Sequence, residues 1–281
     1  MSSTTKRLII RKIRNGSIDN AVKMKQHLHT HCNINVSAET VRRTLRDVGM
    51  HGRMKIKKPL LTKRHKKLRL EFARKYENFT EADWSKVIWS DETKIDYFGS
   101  DGREWTWRSP GQQLQSHHVH PTVKFGGGHI MIWSCMTSEG VGCVDKIEGT
   151  MTAKSYIKIL ENSLLRSLEK WGKTIPDVIF QHDNDPKHKA NCTKQWLATQ
   201  GFQVLDWPPQ SPDLNPIEHL WGLLKRSVAN FEPGSRSSLQ LWADVVLAWQ
   251  NIQREQCRNL VDSMPRRIKA VIKAKGGYTK Y

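Results

Sequence analysis

Hydrophobic positions in the first fifty residues recur three and four apart, the spacing of amphipathic helices. Leu8, Ile9 and Ile13 mark a helix over 6–14 that stops at Gly16, and a second runs from about residue 20 to 29. After a polar turn around Asn33 and Asn35, Ser37 is placed to cap a third, in which Val41, Leu45 and Val48 share one face and Gly49 ends the run. Leu68, Phe72 and Tyr76 predict a helix leading into a second domain. Beyond it, short apolar runs at 87–91, 94–98, 103–107, 129–136 and 142–147 predict strands. A helix follows at 153–170, a strand at 177–183, a helix at 187–199, a strand at 202–207, and helices at 216–228 and 239–252. Three strands in a meander, then helices alternating with strands, predict an α/β body with a mixed sheet and flanking helices. A small all-α domain precedes it.

Charge divides the chain in the same way. The whole carries a formal +19, yet residues 1–75 hold 21 Lys and Arg against four Asp and Glu, and the remainder 25 against 23. All 11 tryptophans lie between Trp84 and Trp249. A basic arm therefore precedes a nearly neutral, aromatic-rich body, and a polyanion is the expected partner. In the third helix Arg42, Arg43 and Arg46 fall opposite the apolar stripe, as a helix-turn-helix needs to enter a major groove. An ordinary three-helix packing with solvated arginines satisfies the same pattern. Candidate DNA contacts are Ser37, Thr40, Arg42, Arg43 and Arg46, with Arg53, Lys55, Lys57, Lys58, Lys63, Arg64, Lys66 and Lys67 of the acid-free run that follows. That run also suits a nuclear-localisation signal or a solvated linker. The domains read as a helix-turn-helix over 1–52, a basic linker over 53–75 and a catalytic body over 76–281. Five cysteines without a CxxC pair, no apolar run of about 18 residues and a start too polar for a secretory signal predict a soluble, intracellular protein.

Three acids stand where chemistry could use them. Asp91 follows the apolar run VIWS, Asp183 follows VIFQH, and Glu218 sits at the start of a helix after Asn215 and Pro216. Each has a plainer role open to it: a strand end, a turn, and a capping box with Asn215. Together, beside a DNA-seeking arm, three carboxylates suit phosphodiester chemistry, in which hard oxygen ligands hold two magnesium ions roughly 3.5–4 Å apart. His117, His118 and His120, like His27, His29, His31 and Cys32, lack a zinc spacing and read as surface residues.

WSDETK (89–94), PTVKFGGGHIMIW (121–133), FQHDNDPKH (180–188) and WPPQSPDLNPIEHLW (207–221) closely resemble the catalytic core of Tc/mariner-superfamily DNA transposases. Thirty-four residues lie between Asp183 and Glu218, the spacing of that family, and the likeness runs through the whole chain. It implies a ribonuclease-H-like fold and a cut-and-paste reaction: water attacks the element's ends, and the freed 3′-hydroxyl attacks target DNA at a TA step. Asp91, Asp183 and Glu218 would be the metal-binding triad, with two Mg2+ ions per site and Mn2+ able to substitute. The resemblance further implies a homodimer on double-stranded DNA, since 101–124 matches a loop that clamps a partner subunit, and nuclear work. Gly126–Gly128 matches a glycine-rich stretch, or is a hairpin turn. Family members carry two helix-turn-helix units; only the second is matched, so the expectation is either an N-terminally truncated copy or a start assigned late. Two alternatives stand beside this reading. One is a catalytically silent DNA-binding derivative. The other is a retroviral-type integrase, which would need a His/His/Cys/Cys zinc domain absent before residue 75.

Overall fold

The computed structural model describes residues 1–53, 58–97, 128–229, 231 and 237–281. They form two compact units, Met1–Lys58 and Pro59–Tyr281. In the first, α1 (Ser3–Arg14), α2 (Ala21–Cys32) and α3 (Ala38–Arg46) are each opened by a side chain that accepts a backbone N–H: Ser2 from Thr5, Asn20 from Lys23, Ser37 from Thr40. Asn33 closes α2 in the left-handed conformation. Helices this short are marginal alone. Ile9, Met24, Leu28 and Val41 are fully buried between them, each contributing about 1.5–3 kcal/mol. Val48, expected on the buried stripe, is 44% exposed because α3 already ends at Arg46.

The second unit is built on a five-stranded sheet of order β3-β2-β1-β4-β5. Its strands are β1 (Val87–Asp96), β2 (His129–Thr137), β3 (Gly140–Ile147), β4 (Ile179–Gln181) and β5 (Gln203–Val204). β1, β2 and β3 pair antiparallel, while β4 lies parallel to both β1 and β5. Alternation along β1 sends Val87, Trp89 and Ile95 to one core and Ile88 to another. The first core is covered by α4 (Lys63–Lys75), α5 (Glu81–Trp84), α9 (Ile217–Ala229), α10 (Ser238–Gln250), α11 (Arg254–Val261) and α12 (Met264–Lys273). The second is covered by α6 (Ala153–Ile159), α7 (Leu165–Trp171) and α8 (Asn191–Gln200), with a π-helical stretch joining α6 to α7. This is the expected mixed sheet with helices on both faces. No helix of the described residues is long and apolar enough to cross a membrane.

Several expectations change. The runs 87–91 and 94–98 are one strand through Asp96, because Glu92, Thr93 and Lys94 keep their pairing with Trp133, Ile132 and Met131. The strand expected at 177–183 is confined to Ile179–Gln181, leaving Asp183 in the loop beyond. The predicted strand at 103–107, the loop 101–124, His117, His118, His120, Gly126, Gly127, Lys55 and Lys57 lie outside the described residues.

The basic linker over 53–75 is also redrawn. Its second half is α4, capped by Thr62, and it belongs to the second unit. The reason is Arg69, which lies in the same basic run as the exposed cations of α4 but is fully buried. Its guanidinium grips Asp213 with two bonds of 2.7 Å, and donates to Ser211 Oγ and to the carbonyls of Gln210, Gly276 and Gly277. Gly276, at φ +78°, lets the C-terminal turn pass α4: a Cβ there would stand 1.9 Å from the Lys66 carbonyl oxygen. Removing one partner of a buried ion pair costs about 3–5 kcal/mol. Arg69→Ala should lower the free energy of unfolding by that amount, measured by guanidinium denaturation; an unchanged midpoint would remove Arg69 as the clamp.

Candidate active site

The three acids come from three elements and line one cleft of about 470 Å³, with Pro59, Asn184, Asp185, Asn215 and the turn around Pro208–Pro212 among its walls. Asp91 lies in the middle of β1, opposite Ser134, not at a strand end. Alternation places it on the sheet face that packs against α9. Glu218 occupies the first turn of α9. Asp183 follows β4 by two residues.

Ser90 laces these segments together. Its hydroxyl donates to the Gln181 carbonyl (2.7 Å), its N–H to Gln181 Oε1 (3.1 Å), and its carbonyl accepts from Asn215 Nδ2 (3.2 Å). The residue before Asp91 is thus tied to positions two before Asp183 and three before Glu218. The plainer role open to Glu218 is filled otherwise: the Asn215 N–H a capping box would need already bonds the Pro212 carbonyl. The Asn215 side chain accepts a long bond from the Ile217 N–H (3.4 Å), and its carbonyl accepts one from the Glu218 N–H (3.4 Å). Asp183 does make a turn, accepting the Asp185 N–H at Oδ1 (2.9 Å), and this leaves Oδ2 for other work. Asp185 also lines the cleft, but Lys187 holds its carboxylate at 2.6 Å.

Electrostatics at the cleft favour a cation. Burial, then the charges of Glu218 and Glu92, push the Asp91 carboxyl well above the usual range. Burial also raises Glu218, offset in part by a hydrogen bond from Asp91 and by Lys225. Asp183 moves the other way: burial works against it, but the hydrogen bond and charge of His188 and the Asp185 N–H hold it below its ordinary value. Hard oxygen donors of this kind are the set that magnesium and manganese prefer. Among the described residues, no three His, Cys, Asp or Glu side chains are already drawn into one coordination shell.

Sequence reasoning missed Glu92 and His188. Glu92 projects from the opposite sheet face to Asp91, and His188 stands between it and Asp183, with Nε2 3.1 Å from Glu92 Oε1 and Nδ1 2.6 Å from Asp183 Oδ1. Two carboxylate acceptors require both ring nitrogens to donate, so the ring is an imidazolium. Burial opposes that charge, yet the two acids push His188 up to about 9. Neighbouring His182 is driven down to about 3 by burial and the charge of His188. The alternation of the WSDE run was the available signal for Glu92. Elsewhere, His27 and His31 stack on α2 with their ring centroids 4.6 Å apart.

Of the candidate DNA contacts, Arg42, Arg43 and Arg46 are exposed on α3, with Glu39 bonding Arg42 (3.0 Å) and Arg46 (2.8 Å). Ser37 and Thr40 serve the helix cap. Arg53 is exposed, and so are Lys63, Arg64, Lys66 and Lys67 at the start of α4.

Comparison with known proteins converges on one family. Residues 6–78 match a family model described as "Transposase", and residues 86–240 one described as "DDE superfamily endonuclease". The chain is 40% identical over 247 residues to the transposable element Tcb1 transposase of Caenorhabditis briggsae, covering 87% of this chain and 88% of that one. It is 36% identical to the Tcb2 transposase of the same organism, over 98% and 99%. A crystal structure of the mariner Mos1 paired end complex with Mg superposes with a TM-score of 0.78 at 22% identity, covering 98% of this chain and 80% of that one. The fold is thus ribonuclease-H-like, as the resemblance implied.

A carboxyl whose folded pKa is raised destabilises the fold above its unfolded pKa, about 3.9 for Asp, because ionisation is then opposed. Without divalent cations, Asp91→Asn should therefore be more stable than wild type at pH 7, by about 0.5–2 kcal/mol, and the difference should vanish as the pH falls to 3. Urea titrations in chelator at both pH values measure this; a less stable variant at pH 7 would contradict the charge argument.

Proposed function

The chain belongs to the Tc1/mariner family of DDE transposases, and from that premise we propose that it cuts and rejoins DNA with Asp91, Asp183 and Glu218 as its cation-holding acids. The observation that carries the assignment is the meeting of these three side chains, from strand, loop and helix, at one cleft. Two Mg2+ ions, or Mn2+ in their place, would supply an activated attacking oxygen and a stabilised leaving oxygen. Asp91 offers a carboxyl fixed by a paired strand, Glu218 one fixed by the start of α9, and Asp183 its free Oδ2. The reaction is cut-and-paste: hydrolysis at the element's ends, then attack of the 3′-hydroxyl on target DNA at a TA step. The protein works as a homodimer on duplex DNA in the nucleus. The family likeness of 101–124 supports the dimer, and the basic run from Arg53 supports nuclear entry.

DNA is held by two sets of cations. The first unit presents Arg42, Arg43 and Arg46 on α3 for a major groove, and Arg53, Lys55, Lys57 and Lys58, which follow in the sequence, serve phosphates. The second unit adds Lys63, Arg64, Lys66 and Lys67. Three of these fill the first turn of α4 with its neighbour Thr62 as cap, where the helix dipole disfavours cations and favours a phosphate.

Asp183→Asn and Glu218→Gln should reduce cleavage of element-end DNA to background while DNA binding persists; Asp185→Asn should be milder. Chelator should stop cleavage, and Ca2+ should support complexes with little cutting because its coordination is larger and looser. Full activity of Glu218→Gln would sink the assignment.

Residues 1–58 alone should bind duplex DNA, with log affinity falling by about 0.9 per log unit of salt for each phosphate contact. Replacing Arg42 and Arg43 with Ala should erode sequence preference more than replacing Lys57 and Lys58. Equal erosion, read by competition with non-specific DNA, would contradict the placement of α3 in the groove.

A further inference from the structure

The imidazole of His188 is 2% exposed and lies on the side of Asp183 away from the three-acid cleft. Its ring is packed against Tyr156, at 4.1 Å between centroids, and stacked 11° from parallel on His182 at 5.2 Å. The hydroxyl of Tyr156 is in turn 3.3 Å from His182 Nδ1. The backbone approach is also held, by the His188 N–H on the Asp185 carbonyl and by Thr193 Oγ1 on the Lys187 carbonyl. A ring wedged in this way has no freedom to rotate, and Glu92, itself only 10% exposed, fixes its far nitrogen from β1. The near nitrogen meets Asp183, whose carboxylate is 52% exposed and stands on a loop rather than on a strand.

We propose that His188, braced by Glu92, is a positioning residue for Asp183: it holds Oδ1 so that Oδ2 faces the cleft and takes a divalent cation there. The inference rests on the reading of Asp183 as a cation ligand. An exposed carboxylate on a loop samples several rotamers, and each must be given up when a cation binds. With Oδ1 occupied by His188 and by the Asp185 N–H, that choice is made beforehand. The neighbouring residues of β1 thereby serve one site from opposite sheet faces: Asp91 enters the cleft directly, and Glu92 acts on it from behind through His188. Loss of such an outer partner commonly weakens metal affinity by about 10–100-fold.

The test uses the whole chain and Mn2+ as probe, titrated without DNA and followed by the electron paramagnetic resonance signal of the free ion. Cleavage of element-end DNA is measured in parallel across Mn2+ concentrations. His188→Gln reaches Glu92 but gives up the donor to Asp183, whereas His188→Asn keeps a donor near the Nδ1 position. His188→Gln should bind Mn2+ about 10–100-fold more weakly and regain most of its cleavage rate at high Mn2+; His188→Asn should stay near wild type. A mere packing role would favour the larger Gln, so the opposite order, equal losses, or wild-type affinity in His188→Gln overturns the proposal. Should His188→Gln not fold, Glu92→Gln replaces it, with weakened Mn2+ binding expected and unchanged binding overturning the inference. Asp183→Asn is the control that separates the two claims. If it retains wild-type Mn2+ affinity, Asp183 is not a ligand and the reading beneath fails. If it loses affinity while His188→Gln does not, only the positioning role fails.

Discussion

Like charges repel, and a site made of carboxylates depends on further bonds to hold its elements together. Here Ser90 supplies these bonds: hydroxyl and N–H to Gln181, and carbonyl to Asn215. Each is a neutral hydrogen bond of modest net worth, about 0.5–1.5 kcal/mol. All are buried, where breaking them would strand a polar group. They tie β1 to β4 and to the entry of α9, so that the three acids cannot move apart without unmaking the junction. Burial raises the carboxyls of Asp91 and Glu218, and repulsion from neighbouring acids adds to the rise. The fold is built to oppose that repulsion, with two apolar cores pressed on opposite faces of the same sheet.

The period of two in a strand gives β1 a second use. Val87, Trp89 and Asp91 face α9; Ile88, Ser90 and Glu92 face the other core. Ser90 can therefore reach under the sheet to Gln181 while its neighbour points into the cleft. Glu92 meets His188 on that same hidden side. Its charge is then matched by the imidazolium and does not add fully to the repulsion at the front. A single strand thus carries a tie, a cleft acid and a counter-charge at consecutive positions, Ser90, Asp91 and Glu92.

Chain features that depend on local spacing were readable in advance. The helices of the first unit followed from periodicity, and the motifs pointed to three acids that the fold brings to one cleft. What depended on distant partners was not readable. Glu92 and Thr93 fell between two predicted strands because their ladder partners on β2 lie some forty residues away. Arg69 looked like its exposed neighbours because Asp213, which buries it, is 144 residues away. The helices α11 and α12 were hidden by charge: Arg254–Val261 and Met264–Lys273 carry many polar residues, and their fully buried apolar positions are Cys257, Val261, Met264, Ile268 and Val271. His188 sat in a motif already visible, but its function needed Glu92 from the far side of a strand.

Moving the domain boundary from residue 75 to residue 58 also redistributes the charge. The first unit has 14 Lys and Arg against three acids, and the second 32 against 24. The catalytic unit is thus not neutral: it carries a surplus of eight, and residues 59–75 alone hold seven cations against one acid. Of those, Arg69 is spent on Asp213, and Lys63, Arg64, Lys66 and Lys67 remain exposed near the start of α4. Pro59, a few residues before that helix, is part of the cleft wall. An enzyme that cuts a polyanion needs its phosphate contacts close to the reacting bond, because a contact made elsewhere raises occupancy without fixing the geometry of attack. Arg69 gives that requirement a structural form. By anchoring α4 to the segment that leads into Glu218, it makes the exposed lysines part of the same rigid body as the acids.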